Sequence, residues 1–472
     1  MTNPDRTELE GVVSLIAEEA RKYLVSVDDR ALREPGADER AEAFGGTLPE
    51  AGVGADRALR ELLDGLDSHV ASSGPRFFHF VIGGVTPASL GADWLQSTID
   101  QNPGLWVASP LGARLADLSV TWLLDLFGLP PTWGGALTTG ATMANFTALL
   151  CARRWWAERH GADVDDDGLA GLPPVPVLTS GYVHASSRKA LGMLGIGRNR
   201  VQTFVRDDRG RVDLDAMRGA LDELDGAPAI LIANAGEVNA GDFDPIADMA
   251  ELAERYDAWL HVDGAFGLFA ALSPQTGHLV EGIDRAHSVI ADGHKWLNVP
   301  YESGFAFVRD PGLLPAALTS SAAYLTAGDD ARPNLAYLSP EMSQRARGLP
   351  VWATLRAYGR EGYRTIVERH LELARRVAGR VDEADDLERL ADVPLNIVCF
   401  RLHPPGLDDQ AALDDLNRRV GEAILEDGRV YVGTTTFEGK AAFRPAIVNW
   451  RTREEDVDLL VDVIRELGQK LS

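Results

Sequence analysis

The stretch "ADGHKWLNVPYESG", residues 291–304, places a single lysine, Lys295, between a histidine and a tryptophan. The residues before it, "RAHSVI", predict a strand that would carry Lys295 into the interior of the protein. Lysine is among the residues least often buried without a partner. The sequence therefore requires either a group that neutralises this cation or a chemical role for it.

The composition is that of a globular protein, with 472 residues, of which 45% are hydrophobic and 25% are charged. The first residues lack the basic start and the apolar run of a signal peptide, and no later run of about 18 apolar residues follows. Two cysteines provide neither a disulfide framework nor a metal-ligand pattern. We predict a cytoplasmic protein without a metal, and the net charge of −25 argues against nucleic acid or an anionic membrane as partner.

The pattern of apolar runs divides the chain into three regions. Residues 1–75 are acidic and helix-prone, and residues 76–350 alternate short apolar runs with helical patterns. Residues 351–472 begin with a long helical pattern and continue with two strand-like runs. Alternation of strands and helices indicates a mostly parallel sheet covered on both faces. We predict an α/β fold with a large domain at residues 76–350 and a smaller α+β domain at the C-terminus.

A carboxylate follows a second apolar run, because "WLHVDGAFG", residues 259–267, reaches Asp263 at the end of a predicted strand. Ligands of open α/β sheets collect at the carboxyl edge of the strands. A buried carboxylate at this edge needs a cation or several hydrogen bonds. Two interpretations stay open here: Asp263 and Lys295 form a structural ion pair, or both bind a ligand.

Two further segments add polar groups at strand ends. "GGALTTGATMANF" predicts a turn of small residues that opens a long helix, where free N–H groups and the Thr142 hydroxyl suit a phosphate. The alternative for this segment is an ordinary capped helix. "SGYVHASSRKALGMLG" places His184 between a strand and a helix, where a lone histidine is more often structural than catalytic.

Taken together, the four segments predict a pocket with a lysine, an acid, a histidine and a phosphate site. Pyridoxal 5′-phosphate fits this set, because its aldehyde would bind the lysine and its ring nitrogen would face the acid. Covalent attachment as an imine would also explain how Lys295 is accommodated in the interior.

The same motifs resemble those of the group II pyridoxal-phosphate-dependent amino-acid decarboxylases, which include enzymes for aromatic amino acids, glutamate and histidine. "HVDGAFG", "DGHKWLNVPYESG", "TTGATMANFTALL" and "YVHASSRKA" follow in the order and spacing of that family, and the likeness covers roughly residues 75–460. The resemblance implies fold type I of the pyridoxal enzymes and a homodimer whose active sites lie at the subunit interface.

The resemblance also implies roles for individual residues. Lys295 resembles the Schiff-base lysine, Asp263 the partner of the pyridine nitrogen, and His184 the histidine that stacks on the ring. The remaining implied cofactor contacts are Ala141, Thr142 and His294 near the phosphate, and Ala265 against the ring. Many relatives carry a hydroxyl where this chain reads "AGEVNAGDFDP", and here Asn239 is expected to hydrogen-bond the ring oxygen instead.

The substrate side departs further from the family. "IDQNPGLW" offers Asn102 where relatives that act on aromatic substrates carry apolar side chains, while Phe80, Trp106 and Tyr301 remain as pocket walls. An aromatic amino acid is the leading expectation for the substrate. In this family a loop tyrosine protonates Cα, and we predict Tyr337 rather than Tyr324, with a plain surface aromatic as the alternative.

Rival functions remain open on the sequence. An aldehyde synthase resembles these decarboxylases but passes its intermediate to oxygen. An aminotransferase or a Cα–Cβ lyase of the same fold type would use an arginine for the substrate carboxylate, for which Arg444 is a candidate. A catalytically silent binding protein would have no need of the complete set of Lys295, Asp263 and His184.

Overall fold

The structure, a computed structural model, describes residues 6–319 and 332–472 of the chain. Its helices are α1 (Arg6–Ser26), α2 (Ala37–Glu42), α3 (Ala55–Asp64), α4 (Pro87–Ile99), α5 (Pro110–Phe127), α6 (Ala141–Glu158), α7 (Ala185–Met193), α8 (Leu214–Glu223), α9 (Ile246–Arg255), α10 (Leu313–Leu318), α11 (Gly348–Asp382), α12 (Gln410–Asp427) and α13 (Glu454–Leu471). Its strands are β1 (Gly134–Thr138), β2 (Val177–Thr179), β3 (Val201–Thr203), β4 (Ile230–Asn234), β5 (Trp259–Asp263), β6 (Ser288–Asp292), β7 (Gly304–Val308), β8 (Leu387–Arg389), β9 (Phe400–Leu402), β10 (Thr434–Phe437) and β11 (Lys440–Phe443). Within the described part of the chain, no helix is long and apolar enough to cross a membrane.

Strands β1 to β7 form one sheet in the order β1-β7-β6-β5-β4-β2-β3. The neighbouring strand pairs β3–β2, β2–β4, β4–β5 and β5–β6 are parallel. Strand β7 runs antiparallel to both β6 and β1. Every residue of β4, β5 and β6 is buried, which explains why these strands read as near-continuous apolar runs in the sequence. The predicted mostly parallel sheet is therefore confirmed.

The last residues of three neighbouring strands are polar and determine where the site lies. Asn234 ends β4, Asp263 ends β5 and Asp292 ends β6, and Asn234 and Asp263 are paired in register. All three side chains are buried. The carboxyl edge of the parallel strands thus collects buried polar groups where an open α/β sheet binds its ligands.

The second sheet has the order β10-β11-β9-β8 and packs with α11, α12 and α13 around a separate core. Helix α11 spans the sequence boundary that we expected near residue 350, and Gly359 interrupts it with φ of 59°. Phe78 belongs to this second core, and Phe77 forms a parallel bridge with Tyr431. The segment that follows residue 75 therefore packs along the C-terminal region before the chain enters the large sheet.

Strand β1 is the element that the sequence analysis missed. Its sequence, "GGALT", was expected to form a turn, but it pairs along its full length with β7. A Cβ at Gly135 would lie 2.5 Å from the carbonyl oxygen of Ala306, so a side chain does not fit there. The glycines that permit this close pairing are also poor strand formers, which hid the strand.

Candidate active site

A cavity of about 440 Å³ opens at the carboxyl edge of β4, β5 and β6. Nine of the residues predicted from the sequence line it: Phe80, Ala141, Thr142, His184, Asp263, Ala265, His294, Lys295 and Tyr301. The cavity is also lined by Arg444, which the sequence analysis considered only for rival reactions. Segments far apart in the sequence therefore meet around one space.

Lys295 follows β6 and reaches this cavity from a tight turn. Gly83 donates its backbone N–H to the carbonyl of His294 at 3.0 Å, and a Cβ at Gly83 would lie 1.8 Å from the carbonyl oxygen of Lys295. The Nζ atom lies 5.7 Å from the centroid of the Phe266 ring. Among the described residues, no carboxylate oxygen lies within 4.0 Å of Nζ. The structural ion pair with Asp263 is therefore not formed, and the amine remains available.

Asp263 is 6% exposed and is held by three donors. Its Oδ2 accepts from Asn145 Nδ2 and from Ser187 Oγ, both at 2.9 Å, and its Oδ1 accepts from the backbone N–H of Ala265 at 3.2 Å. Burial alone would raise the pKa of this carboxyl. The hydrogen bond from Asn145 and the nearby charge of Lys295 oppose that effect, and the pKa of Asp263 lies below its usual range. The site thus contains a buried carboxylate that stays ionised.

The start of α6 also lines the cavity. Its N-cap, Gly140, supplies no side-chain cap, while the N–H of Ala141 donates to Asp292 Oδ2 at 3.1 Å. A Cβ at Gly304, the last residue of the stretch quoted first, would lie 2.5 Å from the backbone of Gly140. That glycine is required because β7 packs directly against this turn. Thr142 also lines the cavity, and the sequence predicts that its hydroxyl and the N–H groups of this first turn bind an anion.

His184 caps α7 with its own ring. The Nδ1 atom accepts the backbone N–H of Ser186 at 3.2 Å and lies 2.7 Å from Ser186 Oγ. An Nδ1 atom that accepts a hydrogen bond leaves the proton of a neutral imidazole on Nε2. His184 therefore caps α7, as the structural interpretation predicted, and it also lines the cavity.

Arg444 follows β11 and brings a second cation to the cavity. Its Nη1 atom is buried and has no hydrogen-bond partner among the described residues. Burial lowers the pKa of Arg444, and the nearby carboxylate of Glu237 opposes that effect. A buried guanidinium with an unused N–H group needs an acceptor, which an anionic ligand can provide.

Four predicted site residues do not line this cavity within a single chain. Asn239 is engaged elsewhere, because its amide donates to Glu237 Oε1 at 2.6 Å and accepts from Thr435 Oγ1 at 2.7 Å. Asn102 accepts from the backbone N–H of Gly104 at 3.0 Å. The Asn239 amide is thus held by two side chains and the Asn102 amide by a backbone N–H, and neither residue lines the cavity that contains Lys295.

Tyr337 and Trp106 lie together at a second place. Tyr337 ends a short 3₁₀ turn, Leu335–Tyr337, whose Ala336 N–H donates to the carbonyl of Gly104 at 2.9 Å. The backbone N–H of Trp106 donates to Asn334 Oδ1 at 3.0 Å. The segment around Trp106 and residues 334–337 thus contact each other outside the cavity that contains Lys295. Tyr324, the other candidate proton donor, lies outside the described residues.

The family of the chain follows from comparison with known proteins. A family model described as the pyridoxal-dependent decarboxylase conserved domain matches residues 49–403. The chain belongs to the pyridoxal-dependent decarboxylase family. This decarboxylase is 28% identical over 404 residues to the aromatic-L-amino-acid decarboxylase of Bacillus atrophaeus, a match covering 84% of the chain and 82% of the relative.

Two further comparisons bear on this decarboxylase. It is 30% identical over 432 residues to the L-2,4-diaminobutyrate decarboxylase of Rhizobium meliloti (strain 1021), covering 90% of the chain and 84% of the relative. A crystal structure of Oryza sativa TDC with PLP and tryptamine matches its fold with a TM-score of 0.91, at 22% identity and over 100% of both chains. The predicted fold type I, pyridoxal-phosphate dependence and amino-acid decarboxylase activity are confirmed.

The site of this decarboxylase fits the cofactor on three observations made above. Among the described residues the amine of Lys295 has no carboxylate partner, Asp263 is buried and ionised, and the N-cap of α6 is a glycine without a side chain. The sequence analysis missed Asn145 and Ser187, which hold Asp263. Both lie inside the quoted motifs, and the signal that could have found them is a polar residue on the buried face of a helix.

Proposed function

We propose that this decarboxylase converts an aromatic L-amino acid to its amine and carbon dioxide, with Lys295, Asp263 and His184 as catalytic residues. The observation that carries the assignment of the site is the amine of Lys295, which has no carboxylate partner within residues 6–319 and 332–472, in the cavity that the buried, ionised Asp263 also lines. The relative from Bacillus atrophaeus, an aromatic-L-amino-acid decarboxylase, supports the substrate class.

Each side chain has a distinct task in this proposal. Lys295 supplies the amine that holds the cofactor aldehyde, and Asp263 keeps the ring nitrogen protonated. The start of α6 and Thr142 bind the phosphate, and His184 lies against the ring. When bound, pyridoxal 5′-phosphate supplies an electron sink for the electrons released with carbon dioxide.

The walls of the cavity support an aromatic substrate. Phe80, Phe266 and Tyr301 line it, and Tyr301 stacks on His294 at a centroid distance of 4.3 Å. Aromatic rings bind other aromatic rings through large contact areas and favourable edge or offset packing. The second candidate substrate is an acidic amino acid, favoured by the unused Nη1 of Arg444.

Arg444 variants separate these two candidates. In Arg444→Met we expect the KM of an acidic substrate to rise roughly tenfold or more, because a charge-assisted hydrogen bond is lost. An aromatic substrate can contact Arg444 only through its α-carboxylate. The KM values for tryptophan, tyrosine and phenylalanine should therefore change by the same factor in this variant. The measurement is amine formation from a panel of amino acids by wild type and variant.

The matched control is Arg401→Met, which removes a buried arginine paired with Glu388 away from the cavity. Arg401→Met should leave the order of the KM values across the panel of amino acids as it is in wild type. If wild type forms amine from an acidic amino acid but from no aromatic one, the acidic amino acid replaces the aromatic amino acid as the proposed substrate.

We propose further that the active protein is a homodimer in which Tyr337 of one subunit serves the cavity of the other. Tyr337 does not line the cavity of its own chain, so among the described residues this cavity lacks the tyrosine that we predict to protonate Cα. The rim of the cavity is apolar and open, with Phe80 59% and Tyr301 53% exposed. Further exposed apolar side chains lie on α4, between α4 and α5, and at the start of α5: Trp94, Leu95, Ile99, Val107 and Leu111. A second copy of the chain would cover them and complete the site.

Mixing two variants tests this arrangement. Tyr337→Phe should form little amine, because general acid help worth roughly 10²–10⁴-fold is lost. Lys295→Ala should be inactive. Unfolding and refolding the two variants together should restore amine formation, since a mixed dimer has one site with both Lys295 and Tyr337 intact.

Each variant refolded alone is the control and should stay defective. If the mixture forms no more amine than Tyr337→Phe alone, the tyrosine does not act across an interface. Size-exclusion chromatography of the same samples reports whether dimers form at all.

We also propose a cytoplasmic location. Cys151 and Cys399 are buried and unpaired, which fits a reducing compartment. The net charge of −25 supports a small-molecule substrate rather than a nucleic-acid partner.

A further inference from the structure

A buried chain of hydrogen bonds runs from the core of the large sheet to Asp263. Its members are Trp259, Ser288, His261 and Asn145, each at most 1% exposed. The contacts are Trp259 Nε1 to Ser288 Oγ at 3.0 Å, Ser288 Oγ to His261 Nδ1 at 2.9 Å, and His261 Nε2 to Asn145 Oδ1 at 2.8 Å. Asn145 Nδ2 then donates to Asp263 Oδ2 at 2.9 Å.

The chemistry of the groups fixes the direction of this chain. An ionised carboxylate only accepts hydrogen bonds, so Asn145 must donate to Asp263 with its Nδ2 and accept with its Oδ1. His261 therefore carries its proton on Nε2, and its Nδ1 accepts the hydroxyl of Ser288. The indole N–H of Trp259 satisfies the oxygen of Ser288. Each link has one donor and one acceptor, which buried polar groups require.

His261 can occupy this position only as a neutral ring. Burial lowers its pKa to about 4, although the nearby Asp263 opposes that effect. A second proton would leave both ring nitrogens as donors, and the Ser288 hydroxyl would lose its acceptor. The tautomer that orients Asn145 is therefore kept at neutral pH.

Asn145 connects Asp263 to the other cofactor-facing side chain as well. Its Nδ2 also lies 3.3 Å from Ser186 Oγ, which lies 2.7 Å from His184 Nδ1. The amide hydrogens thus serve both the carboxylate and the serine that fixes the His184 ring. Truncation of Asn145 would release two groups of the site together.

We propose that Asn145 and His261 are positioning residues that fix the orientation and the charge of Asp263 toward the cofactor ring nitrogen. Asn145 and Ser187 use both lone pairs of Oδ2, whereas Oδ1 accepts, within the described part of the chain, only the N–H of Ala265. The network assigns the remaining lone pair of Oδ1 to the ring nitrogen. This inference rests on the proposed function, because it requires that Asp263 faces that nitrogen.

The test compares binding of two compounds to the apoprotein by absorbance titration. One is pyridoxal 5′-phosphate, and the other is its 1-deaza analogue, in which C–H replaces the ring nitrogen. In Asn145→Ala we expect the dissociation constant of pyridoxal phosphate to rise roughly tenfold or more, because Asp263 loses a charge-assisted hydrogen bond. The dissociation constant of the deaza analogue should rise clearly less than that of pyridoxal phosphate, because the analogue can lose only the contact with the His184 ring and makes no ring-nitrogen contact.

The matched control is Asn417→Ala, which removes another fully buried asparagine that holds backbone groups of Leu402 and Leu413. It should lower the unfolding temperature but leave both dissociation constants unchanged. Ser288→Ala removes a link that does not touch the cavity and should shift the ratio of the two constants in the same direction as Asn145→Ala. That variant keeps the test decisive if Asn145→Ala does not fold.

Equal weakening of both compounds in Asn145→Ala and Ser288→Ala, or no change in either, would overturn the inference. The proposed function fails differently, since wild type would then bind neither compound through Lys295. The ratio of the two dissociation constants therefore separates a positioning role from a purely structural one.

Discussion

Lys295→Ala should yield a folded protein that neither attaches pyridoxal 5′-phosphate covalently nor releases carbon dioxide from any amino acid. Lys295 is the lysine that lines the cavity, and its Nζ is not committed to a carboxylate within the described residues. Without that amine the cofactor aldehyde has no covalent partner, and turnover should fall to background. The measurement is the visible absorption of the purified protein and the mass of its borohydride-reduced form.

Lys189→Ala is the matched control, because Lys189 is an exposed lysine on α7, five residues from His184. It should keep the visible absorption, the reduced adduct and the activity. A reduced adduct that persists in Lys295→Ala would show that another amine carries the cofactor.

Asp263→Asn should keep the cofactor attached but lower kcat by roughly 10²–10³-fold, the range found when a preorganised electrostatic group is removed. A neutral amide cannot hold the ring nitrogen protonated, so the ring accepts electrons poorly. Because the pKa of Asp263 is held below its usual range, wild type keeps this charge at neutral pH. Steady-state kinetics combined with the absorption spectrum checks the prediction.

Asp244→Asn is the control for a buried carboxylate outside the cavity. Asp244 is 2% exposed and accepts from Ser180 and Asn234, and burial raises its pKa to about 6. Its substitution should change stability more than kcat. Near-normal turnover in Asp263→Asn would mean that Asp263 is only a structural acceptor for Asn145 and Ser187.

The sequence predicted most of the large domain because its strands are buried on both faces. The short apolar runs of residues 76–350 include strands β2 to β7, and the last residue of each of β4, β5 and β6 is polar. Strand β1 was missed because packing against β7 requires glycine, and glycine indicates a turn when it is read alone. Its antiparallel pairing is a tertiary contact that local periodicity does not encode.

The candidate site was predictable where a residue follows directly from a strand or a helix start, as for Lys295, Asp263 and Thr142. Contacts across the fold were not predictable in the same way. Asn239 was expected at the cofactor, but Glu237 and Thr435 use its amide. The role of Asn145 on α6 depends on His261 on β5, a contact that no spacing in the sequence reveals.

The most direct test of the account is the stoichiometry of products from one amino-acid substrate. Carbon dioxide, amine, ammonia and hydrogen peroxide should be measured together in the same reaction. A pyridoxal-dependent decarboxylase should release equal amounts of carbon dioxide and amine, without ammonia or peroxide. Aldehyde with peroxide would indicate an aldehyde synthase, and amino-group transfer to a keto acid without carbon dioxide would contradict the account.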